Sequence, residues 1–163
     1  MKGLLTLRKS AVIIAVCMAV LCLPGYSEPT PEQIAERTRL LFSSVKLDDI
    51  EWAKLCIEWG AYVNARIFES RGLTALMVVQ SGDMAKLLIK AGADVNAKSY
   101  DDGKTALIYA AMNGHKDVVE LLIKAGADVN VRSVGLTALS YATRGGHANK
   151  NIANLLRAAG ATE

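Results

Sequence analysis

Residues 105–130, TALIYAAMNGHKDVVELLIKAGADVN, read as two short helices folded back on one another. Thr105 marks a helix start, since its hydroxyl can accept from a first-turn N–H that has no helical partner. Ala106, Leu107, Ala110 and Ala111 give the first helix a thin face of small residues. Asn113-Gly114-His115 breaks it with a turn. Asp117 opens a second helix, where its charge suits the positive end of the dipole. Val118, Leu121 and Leu122 recur at helical spacing, and Val119 and Ile123 widen that stripe. Gly126 falls where a helix ends in a left-handed residue. A single hairpin cannot bury so wide a stripe, so the unit requires neighbours.

Those neighbours are in the chain. The ends Gly60-Ala61-Tyr62-Val63-Asn64, Gly92-Ala93-Asp94-Val95-Asn96, Gly126-Ala127-Asp128-Val129-Asn130 and Gly160-Ala161 align, with glycines 32, 34 and 34 residues apart. The starts Thr74-Ala75-Leu76, Thr105-Ala106-Leu107 and Thr137-Ala138-Leu139 are 31 and 32 apart. A fixed period in this range signals stacked repeats. Gly103 to Leu107, Ala110-Ala111, Gly114-His115, Val118 to Leu122 and Gly126 to Asn130 together resemble the ankyrin-repeat pattern, in register. The resemblance covers residues 32–162. It implies an all-α solenoid of four stacked helix-turn-helix repeats, at about 32–64, 65–96, 97–130 and 131–162, each led by a β-hairpin finger.

Departures from the pattern carry their own expectations. Ala75, Ala106 and Ala138 replace the family's proline. Met77, Ile108 and Ser140 replace its histidine, which removes the usual Thr–His hydrogen bond. The second repeat is three residues short around Val79 to Gly82, so its first helix should be barely two turns. The last repeat is two residues longer, with the surplus at Ala148 to Asn151. In the first repeat, the spacing predicts a helix from about Glu32 to Ser44 and a turn over Lys46 to Asp49. End repeats should be polar on their outer side, and Arg157 stands where Ile57, Ile89 and Ile123 stand elsewhere.

The chain has 163 residues and a formal charge of +3. Residues 1–27 read as a secretory signal: basic Lys2, Arg8 and Lys9, an apolar run from Ala11 to Leu23, then Pro24-Gly25 and a cut after Ser27. The rival reading is a membrane anchor, but thirteen apolar residues fall short of the roughly 20 that span a bilayer. Residues 28–163 then form the repeat domain. All the excess positive charge is in the signal, leaving 16 basic and 16 acidic side chains. Nothing in that balance points to nucleic acid, and contact with a membrane is expected only during export. Leu21 before Cys22 and Val16 before Cys17 do not suit lipidation. Cys56 is the one cysteine left after cleavage. It lies in a predicted apolar stripe and reads as an inert core residue.

Candidate chemistry is sparse. His115 and His147 recur a repeat apart with no Cys, Asp or Glu at ligand spacing, so they read as turn caps rather than metal ligands. Asp48-Asp49 and Asp101-Asp102 sit in turns and read as turn formers. No nucleophile elbow, phosphate loop or zinc-helix motif is present. No enzyme activity, cofactor or small-molecule substrate is therefore expected. Trp52 is expected to pack within the first repeat, and Trp59 to be partly exposed.

The fingers differ most between repeats. By resemblance, they and the exposed positions of each first helix line a concave groove that binds a protein partner. The matching residues are Arg66, Phe68 and Arg71 in the first finger, then Tyr100, Asp102 and Lys104 in the second. Arg132 and Leu136 follow in the third, with Met112, Asn113 and Arg144 on the helices. Aromatic and arginine side chains amid charges suit such a surface. The expectation is a monomeric, exported, periplasmic or secreted interaction module. A secreted effector and a membrane-tethered scaffold are the alternatives.

Overall fold

The computed structural model describes residues 30–66, 71–144 and 149–162. The signal reading of residues 1–27 and the readings of Phe68 and His147 lie outside them. The repeats occupy a compact unit, residues 34–163. Its elements form four helical pairs: α1 (Pro31–Leu47) with α2 (Ile50–Glu58), a 3₁₀ turn (Ala75–Val78) with α3 (Gly82–Lys90), α4 (Ala106–Asn113) with α5 (Lys116–Lys124), and α6 (Ala138–Arg144) with α7 (Lys150–Ala158).

Helix α1 opens on a reciprocal cap. Thr30 Oγ1 accepts from the Gln33 N–H at 3.3 Å, and Gln33 Oε1 accepts from the Thr30 N–H at 3.0 Å. It runs one turn past the expected Ser44, because the turn that follows needs only two residues. Asp48 takes a left-handed conformation (φ 55), and Asp49 Oδ1 accepts from the Trp52 N–H at 3.0 Å to start α2. In the second repeat the three missing residues remove more than expected. Only a four-residue 3₁₀ turn remains where two α-turns were anticipated, since Val79 is already extended and Ser81 caps α3.

Three further expectations need correction. Thr105 does start α4, but its hydroxyl makes no capping bond. It is buried with no hydrogen-bond partner among the described residues. Helix α5 begins at Lys116 rather than Asp117, and His115, in the capping place, bonds nothing there through its side chain. In the last repeat, Lys150 and Asn151 belong to α7, because the Asn149 carboxamide already accepts from the N–H groups of Asn151 and Ile152.

The pairs stack in two layers. The 3₁₀ turn packs on α4 and α4 on α6; α2 packs on α3, α3 on α5 and α5 on α7. Leu76, Leu107 and Leu139 recur in the first layer, each 1% exposed. Cys56, Leu88, Leu122 and Leu156 recur in the second, each 0% exposed. Burying each such leucine contributes about 2 kcal/mol. Cys56 thus takes a leucine's place, and burial, reinforced by the Asp49 carboxylate, pushes its thiol up to about 11. Such a thiol is inert. Trp52 and Trp59, both half-buried, meet edge to face at 5.6 Å.

Each second helix ends identically. Gly126 is left-handed (φ 86), and the Gly126 and Ala127 N–H groups return to Ile123 O and Leu122 O at 3.1 and 2.9 Å. The asparagine four residues on then ties this end to the next repeat. Asn64 Nδ2 donates to Gly92 O at 2.9 Å, while its Oδ1 accepts from the Asp94 N–H at 2.7 Å. Asn96 does the same to Gly126 and Asp128 at 3.3 and 2.8 Å. Asn130 repeats it to Gly160 and Thr162 at 3.3 and 2.8 Å. One carboxamide per boundary therefore serves as donor and acceptor together.

Candidate functional site

The fingers are less regular than β-hairpins. Among the described residues no strand forms, and an isolated antiparallel bridge joins Ser133 to Leu136. Those two residues exchange both backbone bonds, at 2.8 and 2.9 Å. Val134 and Gly135 between them have φ values of 50 and 80, as a two-residue turn matching strand twist requires. Glycine accepts that geometry freely. Val134 does not, being β-branched, and its side chain is 81% exposed at the tip.

The second finger is closed mainly by side chains. The Ser99 N–H donates to Lys104 O at 2.9 Å. Asp102 Oδ1 accepts from Ser99 Oγ at 2.6 Å and from the Lys104 N–H at 3.2 Å. Lys104 Nζ meets Asp102 Oδ2 at 2.6 Å, with both side chains largely buried. Burial alone would raise the Asp102 carboxyl. The bonds from Lys104 and Ser99 outweigh it and hold the group down at about 2. The same bond to Asp102 raises the Lys104 ammonium against the effect of burial.

Lys104 also orients the helical layer. Its Nζ lies 5.8 Å from the Tyr109 ring centroid on α4 and 5.6 Å from that of Tyr141 on α6. Met112 and Arg144 stand three residues beyond these tyrosines, one turn along the same helix faces. Both are exposed, as is Asn113. The fingers and the first-layer helices therefore contribute to one continuous face.

Neighbouring fingers are pinned together. The Tyr100 N–H donates to Arg71 O at 3.1 Å, and Arg71 pairs with Asp101 at 3.4 Å. Arg66 Nη1 donates to Gly72 O at 3.1 Å and also to Lys98 O. Its guanidinium carbon lies 4.8 Å from the centroid of the Tyr100 ring. Gly72 makes that arrangement possible, since a Cβ there would come within 2.1 Å of Tyr100 Cδ2. Ser133 Oγ donates to Asp102 O at 2.7 Å, joining the third finger to the second. Tyr100 is 60% exposed above this platform.

The structure thus divides the predicted residues. Arg66, Asp102 and Lys104 build and join the fingers. Tyr100, Arg71, Met112, Asn113 and Arg144 present exposed groups beside them. Arg132 donates to Gly135 O at 3.2 Å, and Leu136 is half-buried. Val134 did not figure among the predicted site residues. Its signal was present in the Val-Gly pair of a short finger, where asparagine or aspartate is the usual partner of glycine.

A family model described as ankyrin repeats (3 copies) matches residues 41–133 and 79–162. The chain belongs to the ankyrin-repeat family. No curated protein matches it at a significant level. Repeats of this family are in general protein-interaction modules.

Proposed function

We propose that the protein is a non-catalytic interaction module that captures a protein partner on the face made by its fingers and first-layer helices. The observation that carries this reading is the platform of Gly72, Arg66 and Tyr100. A large aromatic ring, 60% exposed, is held in place by neighbouring backbone and a guanidinium before any partner arrives. Preorganised aromatic residues lose little entropy on binding and serve well as anchors. Tyr100, Met112 and Arg144 are the anchors of this face, with Phe68 added from the sequence of the first finger. Replacing all four by Ala abolishes capture of the partner and leaves the helical circular dichroism unchanged. Gly72→Ala weakens capture with every anchor still present, because it displaces the Tyr100 ring. Capture undiminished in both variants would refute the reading.

The module acts after export to the periplasm or beyond, with residues 1–27 removed near Ser27 and the mature chain monomeric. The basic, apolar and small-residue order of those residues supports this. Among the described residues no helix is long and apolar enough to cross a membrane. N-terminal sequencing of the mature protein tests export. A mature chain starting near Glu28 supports it, and an intact Met1 in an envelope fraction would favour a tethered scaffold instead.

A further inference from the structure

The mature chain is electrically balanced, yet its charges are not evenly distributed. The fingers and the helices α4 and α6 contribute Arg66, Arg71, Lys98, Lys104, Arg132 and Arg144 to the candidate face. Against these six cations the described fingers hold two carboxylates, Asp101 and Asp102. Counting Glu69, which lies outside the described residues, makes three. The rest of the described chain carries ten cations and eleven carboxylates. All the net positive charge of the described chain is thus on one side.

Both finger carboxylates are already engaged, Asp101 by Arg71 and Asp102 by Lys104. Arg71, Lys98, Arg132 and Arg144 remain exposed to solvent. Tyr100, Val134 and Met112 stand among them at 60%, 81% and 40% exposure. An exposed β-branched side chain held in the left-handed region marks a position where strain accompanies function elsewhere. Cations spaced around separate apolar projections are complementary to a chain that alternates carboxylates with aliphatic or aromatic side chains.

We infer that the partner segment seated on this face is an acidic peptide stretch carrying spaced apolar residues, held by Arg71, Lys98, Arg132 and Arg144 around Tyr100 and Val134. The inference rests on the proposed function and names the chemistry of the partner. A nucleic acid is the less suitable occupant. Arg66, Arg71, Lys104 and Arg132 each already hold a contact within the fingers, and Val134 and Met112 offer a base no stacking surface, which leaves Tyr100 alone to stack. Electrostatic complementarity of this kind sets specificity and association rate, and it is screened by salt.

The test is selection of a random peptide library displayed on phage against the purified protein, followed by titration of a synthesised winner. The enriched peptides carry net negative charge and at least one aromatic or branched aliphatic residue. Their affinity falls about tenfold between low salt and roughly 0.5 M NaCl. The combined variant Arg71→Glu, Arg132→Glu and Arg144→Glu loses at least about tenfold in affinity. Should it unfold by circular dichroism, Lys98→Glu with Arg144→Glu replaces it, since neither side chain supports the finger structure. Neutral or basic winners that are lost on Tyr100→Ala overturn the acidic partner but leave the binding face standing. Winners indifferent to both charge reversal and Tyr100→Ala overturn the face as well. Displacement of an acidic winner by an equimolar single-stranded oligonucleotide overturns the inference in favour of nucleic acid.

Discussion

The same substitution at two equivalent positions should change stability in opposite directions. Thr105 and Thr137 each open the first helix of their repeat, and each is buried, 1% and 0% exposed. Thr137 Oγ1 accepts from the Ser140 N–H at 3.3 Å, contacts Ser140 Oγ at 3.3 Å and donates to Thr162 O at 3.2 Å. Thr105 Oγ1 has no partner among the described residues. The difference lies partly three residues on, where Ser140 offers a hydroxyl and Ile108 offers only hydrocarbon, and partly in the Thr162 carbonyl that accepts from Thr137. A buried hydroxyl without a partner costs about 1–3 kcal/mol of lost hydration. Thr105→Val keeps the shape, removes that cost and buries a methyl, so it should stabilise by about 1–2 kcal/mol. Thr137→Val breaks a satisfied set and strands the Ser140 N–H, so it should destabilise by about 1–2 kcal/mol. Urea unfolding followed by far-UV circular dichroism measures both, with unchanged slopes confirming comparable unfolding. A destabilising Thr105→Val of the same size as Thr137→Val would refute the claim that the missing partner decides the sign.

Other positions give independent checks. Asn96→Ala removes the two carboxamide bonds that tie the end of the second repeat to the end of the third and should cost about 1–2 kcal/mol, with hydrogen exchange accelerating at the Gly126 to Asp128 amides. Asp102 has a folded-state pKa of about 2 against an ordinary 3.8, so its stabilisation is full above about pH 4 and is lost as the pH falls toward 2. Asp102→Asn should therefore be less stable than the native chain by about 2 kcal/mol at neutral pH, and denaturant midpoints for the two should converge near pH 2. Val134→Asn relieves a β-branched residue at φ 50 and should raise stability by about 1 kcal/mol, read as a higher thermal midpoint, while weakening partner binding.

The fold was legible because its signal is repeated. One amphipathic hairpin is ambiguous, but four glycines at near-constant spacing place the end of every second helix, and the structure puts each of them in the left-handed region. Residues that act through a neighbouring repeat were harder to read. Asn64, Asn96 and Asn130 were visible as a recurring letter, yet their reach to the next repeat depends on stacking geometry that no local pattern encodes. The candidate site was read only in part for the same reason. Lys104 and Asp102 looked like exposed finger charges, but folding pairs them under two tyrosines that are five and 37 residues further along the chain. Val134 was passed over because its conformation, rather than its type, sets it apart.

The asparagine ties also bear on how such a chain can change length. Each rung spans from the end of one repeat to the end of the next, so the register of the helical stack is checked once per repeat at that end. The second repeat has lost three residues and the last has gained two, yet the rungs that reach their ends, from Asn64 and from Asn130, are intact. Insertions and deletions within a repeat are therefore absorbed in its first helix and turn. A whole unit cut or copied from one asparagine to the next would leave matching ends, so recombination at these points could lengthen or shorten the array without disturbing its joints.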